Sequence, residues 1–337
     1  MFLIKRESGI YYLVYKDVNN KYRKISTRTK KKSEAVTVLK RYADKLILEN
    51  KRRYFNMVAL QKFVMDYNQT NLSSATCNLY KRAFKEFIKK IGNRIVSDIT
   101  SEDIERFKTK RLKDVSAVTI NIELRCLKSA FNVALRFGFL KTNPFIYVKQ
   151  FKEIENEKMV FTTGEVERLL NVIDIPLIKN FISIGVYTGL RLGEILNLQW
   201  KDIQFSERII KVLNKEYYTI KTGKLRTIPI SDKLLTILTN MKAEKECQQD
   251  EYLFQSYNGK PFNKSFITRK FKHFILEAGL PHHLHFHNIR HTFITELLKR
   301  GVSIYKVKLL AGHSNIKTTE GYAHMVVDDL RSAVELI

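Results

Sequence analysis

The sequence predicts a mainly α chain with small β-sheets, an α+β protein in three parts. A short sheet packed on one helix comes first, then an all-helical middle, then a mixed α/β C-terminal half. Three observations predict this. Apolar residues recur at helical spacing through most of residues 54–150. Alternating, strand-like patterns are confined to two short stretches, Ile10–Thr27 and Ile209–Ile230. The chain has 337 residues, 44% of them hydrophobic, enough for one to three cores.

Residues 1–53 read as a small basic module. Ile10, Tyr12 and Val14 alternate with Tyr11, Leu13 and Tyr15, Asp17-Val18-Asn19-Asn20 is turn-like, and Lys21–Thr27 returns as a second strand. Ser33-Glu34-Ala35 opens a helix through Val36, Leu39, Ala43 and Leu46, with Lys30, Lys31 and Lys32 just ahead of it. Residues 54–150 read as helices: Val58–Tyr67, then Ser73–Ile91 with Leu79, Phe84, Phe87 and Ile88 on one face. A third starts at a capping box of Thr100 with Asp103 and runs through Ile104 and Phe107, and a fourth spans Val118–Phe137. Thr142-Asn143-Pro144 breaks the pattern. The polar stretch 151–160 suits a linker, and a second capping box, Thr162 with Glu165, opens the last domain, 161–337.

In that last domain, Arg191 and Glu194 sit three apart, a spacing that puts both on one face of a helix and lets the carboxylate hold the guanidinium or a neighbouring histidine. Ile209–Leu213 and Arg226–Ile230 are β-rich, and the Lys221-Thr222-Gly223-Lys224 turn leads into the second strand. Ser231-Asp232 caps the next helix, and Lys264–Ala278, which includes Lys270, is a basic amphipathic helix. The stretch His285–His324 is the densest in chemistry. His287 and Arg290 share a helical face, His291 follows, and Phe293, Ile294, Leu297 and Leu298 form a core stripe up to Gly301. Ile304, Val307, Leu309 and Leu310 form another amphipathic turn, in which Tyr305 reads as a packing residue; Ala311-Gly312-His313-Ser314 ends it. A polar linker then leads to Thr318, Thr319 and Tyr322.

Composition narrows the partners. There are 60 Lys and Arg against 34 Asp and Glu, a net charge of +26 and a pI near 9.8. Such an excess favours a polyanion, because each cation placed on a phosphate releases a condensed counterion; a merely basic soluble protein has the same balance. Cys77, Cys126 and Cys247 are far apart in sequence and in no metal-ligand spacing, which suits buried thiols in a reducing compartment. No apolar run reaches the ~18 residues of a membrane span, and the first residues lack the apolar centre of a signal peptide.

Two histidines, an arginine and a tyrosine on consecutive short elements suit one chemistry: a phenol attacking a phosphodiester, with cations on the phosphate oxygens. Taken singly, each has a plainer role. A tyrosine near a C-terminus packs, a histidine after glycine closes a helix end, and His287 with Arg290 forms a solvated pair.

Their joint occurrence in this order is specific. HNIRHTF, LLAGHS and TTEGYAH resemble the C-terminal motifs of the tyrosine recombinase (phage integrase) family. TGLRLGEILNLQW at Thr188–Trp200 resembles its first arginine motif, and IKTGKLRTIPI at Ile220–Ile230 its β-hairpin lysine motif. The resemblance covers most of residues 160–337. It implies a catalytic set of Arg191, Lys221, His287, Arg290, His313 and Tyr322, supported by Glu194 and His291. It places DNA contacts at Lys30, Lys31, Lys32, Lys224, Arg226 and Lys270, with residues 1–53 as an arm-type DNA-binding module and 54–150 as a helical core-binding domain. The implied activity is site-specific recombination by an integrase of a mobile element or phage: a 3′-phosphotyrosine intermediate, a four-way Holliday junction, a homotetramer on paired double-stranded attachment sites, and no metal, cofactor or ATP. An accessory bending or excision factor, and a place on the nucleoid in the cytoplasm of a bacterial or archaeal cell, belong to the same expectation. The alternatives are a type IB topoisomerase-like enzyme and a non-catalytic DNA-binding protein of the same fold.

Overall fold

A computed structural model describes residues 1–17, 21–68, 72–153, 158–215, 218–220, 223, 225–244 and 248–322, with the backbone alone at 47–53. The chain divides into two compact units, Met1–Glu155 and Asn156–Ile337. The break falls within the stretch 151–160, and residues 1–53 and 54–150 share the first unit. The expected class, helix-rich with small antiparallel sheets, is the one observed.

The first unit opens with a three-stranded antiparallel sheet, β1 (Phe2–Lys5), β2 (Tyr11–Lys16) and β3 (Tyr22–Ser26), in that order. Strand β1 is an addition to the expected hairpin; it is four residues long, too short for alternation to stand out from the sequence. The register pairs Leu3 with Leu13 and Leu13 with Ile25. Helix α1 (Lys32–Tyr54) covers the sheet and runs one residue past the expected boundary. Ala35, Leu13 and Val14 are buried between them, and the rings of Tyr15 and Tyr42 lie 5.1 Å apart.

Four helices follow: α2 (Met57–Tyr67), α3 (Ser74–Ile91), α4 (Ser101–Leu112) and α5 (Ala117–Arg136). Each begins where a polar side chain caps the free amides: Asn56, Ser73, Thr100 with Asp103, and Ser116. Their apolar stripes meet in one core containing Leu60, Phe84, Phe87, Phe107, Leu124 and Phe131. A buried ion cluster ties α4 to α5. Arg111 donates from Nε and Nη2 to the two oxygens of Glu123 at 3.0 and 2.9 Å, and lies 3.3 Å from both Glu86 and Asp114.

The second unit packs α6 (Thr163–Val172), α7 (Pro176–Thr188) and α8 (Leu192–Leu196) with a small sheet. That sheet has the order β4 (Ile203–Gln204), β5 (Ile209–Val212) and β6 (Arg226–Pro229), all antiparallel, with Ile210 paired to both Ile203 and Ile228. Helices α9 (Asp232–Ala243), α10 (Lys264–Glu277), α11 (Phe286–Lys299), α12 (Ile304–Ala311) and α13 (Lys317–Glu320) complete it. A core of Phe181, Phe254, Phe271, Phe274 and Phe286 holds α7, α10 and α11 together. A satellite cluster of Ile294, Leu298, Val307, Ala311 and Tyr322 joins α11, α12 and the start of the final segment. Helix α12 buries only Val307 and Ala311; Tyr305 is 59% exposed, so the packing role expected of it is not the one it has. Among the described residues no helix is long and apolar enough to cross a membrane.

Candidate active site

The site is assembled from helix α11, the ends of α8, α12 and α13, and strand β6 of the second unit. Arg191 is the N-cap residue of α8, extended at φ −70° and ψ 148°, so it precedes the helix instead of sharing a face with Glu194. Glu194 is the third helical residue. It accepts from the Arg191 amide at 2.8 Å and from Arg191 Nη1 at 3.0 Å, so one carboxylate both caps the helix and holds the arginine. From the strand side, Arg226 at the start of β6 forks the same carboxylate, Nη1 to Oε1 at 3.0 Å and Nη2 to Oε2 at 2.7 Å. Its Nε donates to the Leu310 carbonyl at 3.0 Å.

Arg226, expected at a DNA contact, has a buried partner in the structure. Its side chain is 6% exposed and is held between Glu194 and the Leu310 carbonyl as a strut. The sequence offered a hairpin cation. Only the fold reveals the carboxylate 32 residues away that captures it. Gly312, the C-cap of α12, sits at φ +68° against this guanidinium, and a Cβ there would lie 2.9 Å from Arg226 Nη1.

Burial opposes ionisation of Glu194. The hydrogen bond and charge of Arg226, the Arg191 amide and the Arg191 charge outweigh it and hold the carboxyl below its ordinary value. Among the described residues the third arginine has no carboxylate in hydrogen-bond contact. Arg290, on α11 and 2% exposed, donates from Nη1 to the Gly189 carbonyl at 2.8 Å and from Nη2 to the Ala311 carbonyl at 2.5 Å. Burial and the neighbouring Arg191 charge press its pKa down to about 9, which leaves it protonated at neutral pH.

Tyr322 is 2% exposed, and its hydroxyl lies 2.5 Å from His291 Nδ1 on α11. Burial pushes the phenol up to about 12, with Arg290 and Arg191 pulling the other way. His313 Nδ1 lies 2.9 Å from Thr319 Oγ1, and its ring is stacked with that of Tyr322 at 6.4 Å between centroids. His291 and His313 are both pressed towards the neutral form. Burial and the charges of His287, Lys158 and Arg290 lower His291 to about 4; burial, then Arg290 and Arg191, lower His313 to about 3. His287 is exposed on α11, its ring 4.7 Å from that of His291.

The structure thus brings Arg191, Glu194, Arg290, His291, His313 and Tyr322 into one neighbourhood, with His287 at its edge. Lys221 and Lys224 lie outside the described residues. Lys30, Lys31 and Lys32 are exposed on the first unit, Lys31 3.5 Å from Glu34, and Lys270 is half-buried on α10 beside Phe266, Arg269 and His273. Sequence reasoning missed Lys158. Its Nζ lies 3.6 Å from the centre of the Tyr322 ring and donates to the Gly321 carbonyl at 2.8 Å. Nothing local to 151–160 marks this lysine out among its charged neighbours. Among the described residues no group of three or more His, Cys, Asp or Glu side chains converges to hold a metal ion.

Buried arginines with a surplus of positive charge, beside a tyrosine hydroxyl and two imidazoles, suit phosphoryl-transfer chemistry. Comparison with known proteins agrees. Residues 159–328 match the phage integrase family and residues 58–152 the phage integrase N-terminal domain; the chain belongs to the phage integrase family and is a tyrosine recombinase, a site-specific recombinase of DNA. A relative from Caldanaerobacter subterraneus subsp. tengcongensis, described as tyrosine recombinase XerC-like, is 29% identical and covers 78% of this chain and 77% of its own. The ICEBs1 integrase of Bacillus subtilis is 28% identical over 72% of this chain and 69% of its own. In fold, the chain resembles the Tn1549 transposon integrase in complex with transposon right end DNA (TM-score 0.70, 24% identity, 84% and 99% covered). It also resembles the lambda integrase tetramer bound to a Holliday junction (TM-score 0.65, 19% identity, 93% and 95% covered).

Proposed function

We propose that this recombinase is the integrase of a mobile genetic element or phage, and that it cleaves and rejoins DNA through a 3′-phosphotyrosine on Tyr322. One observation carries the reading: the Tyr322 hydroxyl rests on His291 at 2.5 Å, within the electrostatic reach of Arg290 and Arg191. In the cleavage step the phenolic oxygen bonds to phosphorus and the bond from phosphorus to the 5′-oxygen breaks. The phenol's proton passes to a neutral imidazole, and His291 is the one in contact. Lys221 is proposed to protonate the leaving 5′-oxygen.

Arg191 and Arg290 take the non-bridging oxygens, a task to which a planar guanidinium is better suited than an ammonium. Each terminal nitrogen of Arg290 spends one N–H on a carbonyl and keeps a second for phosphate. With Thr319 donating to His313 Nδ1, the imidazole proton sits on Nε2, where it can serve a phosphate oxygen. The phosphotyrosine retains the bond energy, so the 5′-hydroxyl of a second DNA strand can reverse the step without ATP. Residues 1–53, with Lys30, Lys31 and Lys32, act as the arm-binding module, 54–150 as the core-binding domain and 161–337 as the catalytic domain. The working assembly is a tetramer on two paired duplex sites that passes through a four-way junction, with an accessory bending or excision factor setting direction.

The test is a nicked suicide substrate. Wild type traps a covalent band whose peptide map ends on Tyr322. Tyr322→Phe keeps the ring and the site binding but traps nothing. An adduct on any other tyrosine, or a Tyr322→Phe protein that still forms one, overturns the assignment; a wild type that binds and never forms a band is a DNA-binding protein only.

A further inference from the structure

Tyr322 sits at the end of the described chain, and what fixes it there comes from the other end of the catalytic unit. Lys158 is 163 residues from Gly321 in sequence, yet its ammonium reaches the segment twice: 2.8 Å to the Gly321 carbonyl and 3.6 Å to the Tyr322 ring centre. The two contacts act on different degrees of freedom. The carbonyl bond sets the peptide that enters Tyr322, and the cation over the ring face sets the tilt of the ring that carries Oη. Gly321 makes the approach possible, since a Cβ built on it would lie 2.6 Å from Nζ. The His313 ring is stacked with the Tyr322 ring at 6.4 Å and the hydroxyl meets His291, so Lys158, His313 and His291 together seat the tyrosine. The neighbouring backbone is held as well: Phe161 N donates to Thr292 Oγ1 at 2.8 Å, and Asn288 donates to the Met159 carbonyl at 2.8 Å. The stretch carrying Lys158 is therefore pinned to α11, the helix that carries His287, Arg290 and His291.

We propose that Lys158 is a positioning residue for strand cleavage: it seats Gly321 and the Tyr322 ring so that the hydroxyl is held on His291. The inference rests on Tyr322 being the nucleophile. A cation against the ring also favours the phenolate that forms as the proton leaves. Its charge adds to the burial and the neighbouring cations that keep His291 and His313 neutral.

The experiment measures single-turnover adduct formation by the full chain on the nicked suicide duplex at saturating DNA, together with the Kd for that duplex. Lys158→Met keeps the length of the side chain and removes its charge. We expect roughly 10- to 100-fold slower adduct formation with Kd changed little, the size of loss that misplacing a reacting group gives. Lys158→Arg should restore most of the rate. Gly321→Ala, which displaces the ammonium without altering it, should reproduce the defect. NMR titration supplies a readout that a packing role would not move: in Lys158→Met, His291 should titrate at a higher pH than in wild type. A Lys158→Met protein that cleaves at the wild-type rate at saturation overturns the proposal. So does one that loses only affinity, which would make Lys158 a phosphate contact. Tyr322→Phe run in parallel separates the two claims: if it still forms an adduct the nucleophile is wrong, and if it is inert while Lys158→Met is fast, only the seat is wrong.

Discussion

The two units each bury a cluster of arginine and carboxylate, and the clusters are built to opposite ends. In the first unit the charges balance: Arg111, Arg82 and Lys90 face Glu86, Asp114 and Glu123. Arg111, 6% exposed, is forked by Glu123 and flanked by Glu86 and Asp114, and its hydrogen bonds to Glu123 raise its pKa against the opposing effect of burial. In the second unit two arginines share Glu194, and a third, Arg290, is buried beside them and, among the described residues, hydrogen-bonds only carbonyls. There burial and like charge lower the arginine's pKa. The first cluster is closed on itself and serves the fold. The second carries uncompensated positive charge in a dry place, which is favourable only when an anion arrives. A buried guanidinium therefore signals function when its counter-charge falls short, and stability when it does not.

The largest expected effect tests the closed cluster. Arg111→Met strands Glu123 without its main partner and should destabilise the fold by about 3–5 kcal/mol, the usual cost of halving a buried ion pair. Denaturant titration of the full chain reads it, and a loss under about 1 kcal/mol would mean that Glu123 relaxes to solvent and the cluster is not closed.

Arg290→Met tests the open one. Removing a repelled buried charge offsets the loss of two carbonyl partners, so stability should change far less than in Arg111→Met. The rate of adduct formation should fall by the equivalent of about 2.7–4 kcal/mol, as when one oxyanion contact is lost. DNA binding, spread over many phosphates, should fall much less. A stability loss equal to that of Arg111→Met, with cleavage intact, would erase the distinction between the clusters.

The smallest effect, taken per pH unit, is a pH slope. His291 and His313 have folded pKa values of about 4 and about 3, below the ordinary 6.5 of a free imidazole. A group depressed on folding binds its proton more readily when unfolded. Its contribution is therefore fully present above the unfolded pKa and is lost as pH falls from there towards the folded value. Between pH 6.5 and about 4 each histidine should weaken the fold by up to about 1.4 kcal/mol per pH unit. In His313→Asn the slope over that window should drop by one histidine's share. An unchanged slope would show that His313 is already charged in the native protein.

Much of this molecule was legible because much of it is local. Helices α2, α3 and α5, and the start of α4, are legible to within a residue or two, because a capping side chain and a 3.6-residue stripe both act within a few positions. The short motifs around Arg191, Arg290, His313 and Tyr322 were visible for the same reason. Glycines and caps fix each turn, and the reactive side chains ride on those turns. Strand β1 was not visible, because a four-residue strand gains its hydrogen bonds from β2 and not from its own pattern.

Tertiary structure alone decided the partnerships. The sequence by itself set which elements form, and which side chains capable of phosphoryl chemistry they carry. It did not set that Arg226 turns inward to fork Glu194, that Tyr322 rests on His291 across 31 residues, or that Lys158 reaches Gly321 across 163. A cation in a sequence has many acids, carbonyls and ring faces within its chemical taste. Which one it meets is chosen by the packing of apolar faces that brings distant helix ends together, and that choice is also what decides whether its charge is cancelled or left for a phosphate.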